Sequence, residues 1–211
     1  MEKYNIKNQI RRVGENFQDY FFPKNCLNCH EEGSWLCKSC KDSLFFIDTK
    51  SCPFCGQITD LFCSCNKCQK IIGIKKVFPL FKYGDPLAQK IIKGLKYRYL
   101  DDILLDLEPV LRKFFYKYNN LIEIEENTVL IPVPLRRYKQ CERGFNQAEK
   151  IAEVISRILD IDIITDTVIK SKLTINQAEL ALKDRYNNLQ NAFKLSCKPP
   201  KNVIIIDDVF T

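Results

Sequence analysis

Nine of the eleven cysteines in this 211-residue chain fall between Cys26 and Cys68. Cys26-x-x-Cys29 is followed by Cys37-x-x-Cys40, and the pattern then repeats as Cys52-x-x-Cys55 and Cys65-x-x-Cys68. A Cys-x-x-Cys knuckle lets two sulfurs reach one ion while backbone amides hydrogen-bond to them, and a second knuckle completes a tetrahedron. The spacing predicts a tandem zinc ribbon, with one site at Cys26, Cys29, Cys37 and Cys40 and another at Cys52, Cys55, Cys65 and Cys68. Cys63 is left over, either a spare thiol or an alternative ligand, so the chain is expected to hold one zinc or two. Four protein ligands leave no open coordination position, so the metal is expected to be structural. A segment this small would draw most of its folding energy from it. The readings without metal are free buried thiols or a disulfide relay among Cys63, Cys65 and Cys68. His30, the single histidine, is expected to be a solvated neighbour of Cys29.

The second concentration of chemistry lies in Lys201 to Thr211. Four β-branched residues, Val203 to Ile206, run into Asp207 and Asp208 and then towards the hydroxyl of Thr211. A short unbroken β-branched run suits a strand buried on both faces of a parallel sheet. Ligands of such sheets sit outside the carboxyl ends of the strands. Two carboxylates there can take ribose hydroxyls or a divalent cation. A third cluster is cationic: Arg136, Arg137, Lys139 and Arg143 lie between an apolar strand, Val129 to Val133, and a helix opening near Asn146. A helix N-terminus favours anions, so this basic loop and the acid pair together predict a two-part site for a phosphorylated sugar. A basic surface loop without a ligand is the alternative.

The elements that would position these groups follow from periodicity. Ile6, Ile10, Val13, Phe17 and Phe21 predict an amphipathic helix over 3–21 that packs on the module after it. Residues 1–22 are therefore assigned to that helix, 23–73 to the double zinc ribbon, and 74–211 to an α/β domain of strands alternating with helices. Val77 to Tyr83 reads as a short strand or extended piece, kept to an edge by Pro79. Asp85 is placed to cap a helix with Pro86 at its first position. That helix buries Leu87, Ile91, Ile92 and Leu95, and Lys90, Lys93 and Lys96 form a stripe that reads as a solvated face or, as the alternative, a phosphate or nucleic-acid surface. Asp101 to Tyr118 reads as helical with a kink or new start at Pro109. Asn146 with Glu149 suggests an N-cap pair for a helix burying Ala148, Ile151, Ala152, Ile155 and Leu159.

Composition sets outer limits. No uninterrupted apolar run approaches the roughly 20 residues of a membrane span, and the charged N-terminus lacks the apolar centre of a signal peptide. A cytoplasmic location is expected, and reduced thiols there favour metal over disulfides. The formal charge of +7 counts cysteine as neutral. Zinc with four thiolates carries about −2, so two sites bring the balance to roughly +3. That excess permits contact with a polyanion without requiring it.

Hydrophobic strand, two acids, two apolar residues and a threonine: the stretch Val203 to Thr211 resembles the phosphoribosyl-pyrophosphate signature of type I phosphoribosyltransferases, with Phe210 in place of the usual aliphatic residue. The run VPLRRYKQCERGFNQAEKIA, preceded by Ile131-Pro132, is similar to the ComF family of competence-associated phosphoribosyltransferase-like proteins. Leu95-Lys96-Tyr97, the segment from Thr174 and Gln177 through Arg185, Asn188 and Asn191-Ala192-Phe193, and the cysteine ribbon agree with it. The resemblance implies a type I phosphoribosyltransferase-like parallel sheet flanked by helices, behind an N-terminal helix and a four-cysteine zinc ribbon module. It implies that Asp207 and Asp208 sit against ribose hydroxyls with Mg²⁺ nearby, and that Thr211 begins the 5′-phosphate loop. Pro134 and Arg136, with Arg137 and Arg143 beyond, would lie at the pyrophosphate loop, and Gln177 and Arg185 would reach the ligand from a hood over 171–191. Because the sequence stops at Thr211, before such a phosphate loop is complete, little or no transferase activity is expected of this chain.

Two functions from different classes follow. One is a phosphoribosyltransferase-fold protein that binds phosphoribosyl pyrophosphate, as an enzyme or as a binder. The other is a non-catalytic ribbon module that holds single-stranded DNA or partner proteins of the competence machinery.

Overall fold

The two ribbon knuckles share one backbone bonding pattern, apart from a Leu27 amide bond that Pro53 cannot repeat. A computed structural model describes residues 23–97, 100–135, 137–171 and 191–210; the helix expected over 3–21 lies outside them. In the first knuckle the amide of Cys26 donates to the Glu31 carbonyl at 2.8 Å, His30 N donates to Cys26 O at 3.0 Å, and Asn25 bridges Glu32. In the second, Cys52 N donates to Gln57 O at 2.7 Å, Gly56 N donates to Cys52 O at 2.9 Å, and Ser51 bridges Ile58. The tight reversal needs a left-handed residue after the second cysteine. Gly56 takes it at φ 75° without steric cost, whereas His30 takes it at φ 65°. Each repeat then enters a short helix whose N-cap is the third cysteine: α1 (Lys38–Asp42) after Cys37 and α2 (Asn66–Ile72) after Cys65. Gly73 closes α2 in the left-handed conformation.

The chain divides into two compact units between Ile91 and Ile92. In the first, Leu36, Leu44 and Phe62 are buried, and the Phe62 ring lies 5.0 Å from that of Phe78. Val77 to Tyr83 forms no strand. It is held by single bonds, Val77 N to Phe62 O at 2.9 Å and Ile47 N to Leu80 O at 3.2 Å, and Pro79 has no amide to extend a ladder. α3 (Pro86–Tyr97) begins as its sequence suggests, with Asp85 Oδ1 accepting the amides of Leu87 and Ala88 at 2.8 and 3.0 Å.

The second unit is mixed α/β. α4 (Leu100–Lys117) is one continuous helix despite Pro109. The hydrogen bond lost is the one to the carbonyl of Leu105, a residue 65% exposed, so water can take its place. β1 (Val129–Pro132) pairs in parallel with β4 (Val203–Ile206) in the register Val129–Val203 through Pro132–Ile206. On its other edge β1 bridges Ile163, with Leu130 N donating to Asp162 O at 2.8 Å. α6 (Gln147–Leu159) covers one face of this sheet, so that Leu130, Ala152, Ile155, Ile161 and Ile206 form the core. On the opposite face Ile131 of β1 is buried, whereas β4 is open there. Val203 is 36% and Ile205 60% exposed, so β4 is buried on one face rather than on both. β2 (Val168–Lys170) and β3 (Phe193–Leu195) form an antiparallel pair on either side of 172–190. No helix of the described residues is long and apolar enough to cross a membrane.

Leu130 is fully enclosed where strand, helix and the Ile163 bridge meet. Leu130→Ala is expected to lower the stability of this unit by about 2–5 kcal/mol, the cost of a cavity that cannot collapse. Urea unfolding followed by circular dichroism checks it.

Candidate functional site

Two groups of side chains are gathered closely enough to do chemistry. The first is sulfur. Cys26, Cys29, Cys37 and Cys40 bring their four Sγ atoms within 4.8 Å of one another, and so do Cys52, Cys55, Cys65 and Cys68. A Zn²⁺ with sulfurs at about 2.3 Å sets tetrahedral edges of about 3.8 Å. The Cys29–Cys37 and Cys55–Cys65 sulfur separations, 3.5 and 3.6 Å, are close to that. Backbone amides already point at the sulfurs: Cys37 N at Cys26 Sγ and Cys68 N at Cys65 Sγ, each at 3.5 Å. The donor set therefore fits zinc. Cys63 and His30 belong to neither cluster.

Electrostatics explains why such clusters want a cation. Burial pushes the Cys26 thiol up, but amides of Cys37, Cys29 and Asn28 outweigh it and bring it down to about 6. An amide at Glu31 favours the Cys29 thiolate, yet the sulfurs of Cys37, Cys26 and Cys40 and the loss of water push it up to about 12. The second cluster repeats the split. Burial opposes ionisation of Cys52, amides of Cys65, Phe54 and Cys55 overcome it, and the thiol falls to about 6. Burial and the sulfurs of Cys55, Cys65 and Cys52 drive Cys68 to about 12. Ionisation is favoured at Cys26 in the first cluster and at Cys52 and Cys65 in the second, and resisted at Cys29, Cys40 and Cys68, because four negative sulfurs repel unless an ion sits between them.

The second group lies at the carboxyl end of the parallel pair. The ladder continues one step past β1, with Val133 N donating to Ile206 O at 2.9 Å. Pro134 and Asp207 therefore follow directly from paired residues at the same end of the sheet. Asn146 ties α6 to that end: its Oδ1 caps the helix by accepting the Ala148 amide at 3.1 Å, and its Nδ2 donates to Val133 O at 3.1 Å. The N-terminus of a 13-residue helix is thus anchored beside the strand end, with Gln147 buried there and its Nε2 without a partner among the described residues. The basic stretch before it is not a loop throughout, since Arg137–Arg143 forms a short helix, α5, ended by Gly144 at φ 79°. Arg143, half-buried, is its last residue. Arg136, Gln177, Arg185 and Thr211 lie outside the described residues, as does the side chain of Arg137.

The two acids differ. Asp207 is exposed, and its Oδ1 accepts the amide of Asp208 at 2.8 Å. Partial loss of water and the charge of Asp208 push its carboxyl from 3.8 up to about 6; the Asp208 amide and the Lys96 charge oppose the rise without cancelling it. Asp208 instead meets the ammonium of Lys96, Oδ2 to Nζ at 2.7 Å. The sequence puts Lys96 in a stripe with Lys90 and Lys93, solvated or facing phosphate, without an ion pair to Asp208. Spacing along a helix shows which residues share a face, but not that a carboxylate from a distant strand will meet one of them.

Comparison with known proteins bears on both groups. The family model for the double zinc ribbon domain matches residues 17–70. Together with the two four-cysteine clusters, that supports structural zinc. Over 210 residues the chain is 30% identical to competence protein F of Haemophilus influenzae, covering 90% of this chain and 86% of that protein. It is 27% identical over 183 residues to DNA utilization protein YhgH of Escherichia coli K12, covering 85% and 80%. It is 25% identical over 186 residues to competence protein ComFC of Bacillus subtilis 168, covering 83% and 72%. No solved structure matches the chain.

With two clusters of four, the purified chain is expected to carry two zinc ions, and Cys52→Ser to carry one. Elemental analysis alongside protein concentration measures this. Stripping both ions with a chelator is expected to abolish the ordered amide spectrum of 23–76.

Proposed function

The chain belongs to the ComF family of competence proteins, and from that premise we propose that it serves DNA uptake as a phosphoribosyltransferase-fold protein binding phosphoribosyl pyrophosphate. The observation that carries this reading is the parallel register of β1 and β4, which sets Asp207 and Asp208 beside the Val133–Pro134 bend and the capped start of α6. Ligands of parallel sheets occupy that end, and helix N-termini accept phosphate. In this reading Asp207 accepts ribose hydroxyls, the basic residues from Arg136 to Arg143 face the pyrophosphate, and Gln177, Arg185 and Thr211 complete the enclosure. Mg²⁺ arrives on the pyrophosphate oxygens and neutralises their charge. The relatives named for competence and DNA utilization supply the cellular setting, and the cytoplasm is its proposed place.

A specific feature of the ribbon favours a second reading, contact with single-stranded DNA. A groove of about 670 Å³ on the second repeat is lined by Gln57, Ser64, Asn66, Lys67, Lys75 and Lys76 among others. Cationic grooves with amide-bearing walls suit a phosphate backbone and its bases. Asp60 and the thiolates of the adjacent cluster offset part of that charge, so the strand end remains the stronger candidate.

Calorimetry with phosphoribosyl pyrophosphate and Mg²⁺ separates the two. Binding is expected in the full chain and is expected to weaken at least about tenfold in Asp207→Asn, the loss of charged hydrogen bonds to ribose. Because the folded carboxyl keeps its proton up to about 6, against an ordinary 3.8, ionising it works against the fold as pH rises through that window. A ligand that binds the carboxylate therefore gains affinity as pH rises through about 6 and loses it below. No binding by the unaltered chain, with salt-sensitive DNA binding that survives Asp207→Asn, would favour the second reading.

A further inference from the structure

The acid pair at the end of β4 does not present two free carboxylates. Asp208 is held by Lys96 at 2.7 Å, with their side chains only 16% and 29% exposed, while Asp207 has no ion-pair partner among the described residues. Two adjacent free carboxylates would suit a divalent cation. A carboxylate already bonded to an ammonium does not, because the ion would have to displace the lysine against like-charge repulsion. The net charge of the three groups is one negative, not two. An ammonium offers three donors and Asp208 accepts from one of them, so donors remain for an oxyanion. Partly exposed ion pairs add little to stability, so folding alone is a weak reason to recruit a lysine from α3 to the carboxyl end of a strand.

We propose that Lys96 is a ligand-binding residue, the resident cation of this site: tethered by Asp208, it takes a phosphate oxygen while Asp207 takes a hydroxyl, and it excludes free divalent metal from the acid pair. This rests on the phosphoribosyl-pyrophosphate reading and sharpens it. The protein's own recognition of the strand-end ligand is then metal-independent at the carboxylates, and any Mg²⁺ enters bound to the diphosphate.

The test uses the zinc-loaded full chain with two probes, Mn²⁺ alone read by water-proton relaxation, and inorganic pyrophosphate in magnesium-free buffer read by calorimetry. In Lys96→Gln, Mn²⁺ affinity is expected to rise at least about tenfold as both acids come free, and pyrophosphate affinity to fall by a similar factor. Lys96→Arg keeps a cation and is expected to hold Mn²⁺ affinity at the unaltered level and pyrophosphate affinity within about threefold. Unchanged Mn²⁺ affinity in Lys96→Gln would overturn the proposal and reduce the pair to a structural contact. So would a tenfold rise in Lys96→Arg, which stands as a test on its own should the glutamine variant fold poorly. Either failure leaves phosphoribosyl-pyrophosphate binding by the unaltered chain standing, whereas its absence removes the reading on which Lys96's role depends.

Discussion

Four parallel residue pairs, Val129–Val203 through Pro132–Ile206, set the position of nearly everything chemical in the second unit. Side chains alternate along a strand, so a slip of one residue would turn Ile204 and Ile206 away from the core and send Val203 and Ile205 into it. The core cluster of Leu130, Ala152, Ile155, Ile161 and Ile206 forbids that slip. With the register held, Val133 stays bonded to Ile206 and Asn146 stays bonded to Val133. The acids, the bend and the helix start are then neighbours by construction.

The ribbon obeys a different constraint. Its buried cysteines outnumber its large buried apolar residues, and sulfur without metal is a source of repulsion rather than cohesion. Both clusters aim amides at buried thiols, Cys26 in one and Cys52 and Cys65 in the other, and leave an exposed partner, Cys29 or Cys55, at the rim. The repeat extends to the left-handed residue after each knuckle, where a histidine in one copy stands for a glycine in the other.

Where a local rule decides the structure, the sequence was enough. The cysteine spacing predicted both clusters, and Asp85 and Asn146 cap the helices they were expected to cap. Asn146 does so without help from Glu149. Its second bond goes to Val133, and that contact across the fold could not be read from a capping pattern. Lys96 escaped for the same reason, since its partner comes from the last strand. The stretch over Arg137–Arg143 read as a basic loop because its charges suggested a ligand, yet straight-chain cations are good helix formers and the chain coils there. β-branched composition predicted β4 but not the exposure of Val203 and Ile205, because propensity says nothing about what covers a face.

The claim that a sugar-diphosphate site forms at the carboxyl ends of β1 and β4 is tested most directly by amide chemical-shift mapping of the isotope-labelled, zinc-loaded chain during titration with phosphoribosyl pyrophosphate and Mg²⁺. The account predicts that the largest shifts fall on Val133, on Asn146 to Ala148 and on Asp207 to Val209, with the knuckles at 26–29 and 52–55 unmoved. Shifts confined to the groove around Ser64 and Lys75, or absent throughout, would contradict it.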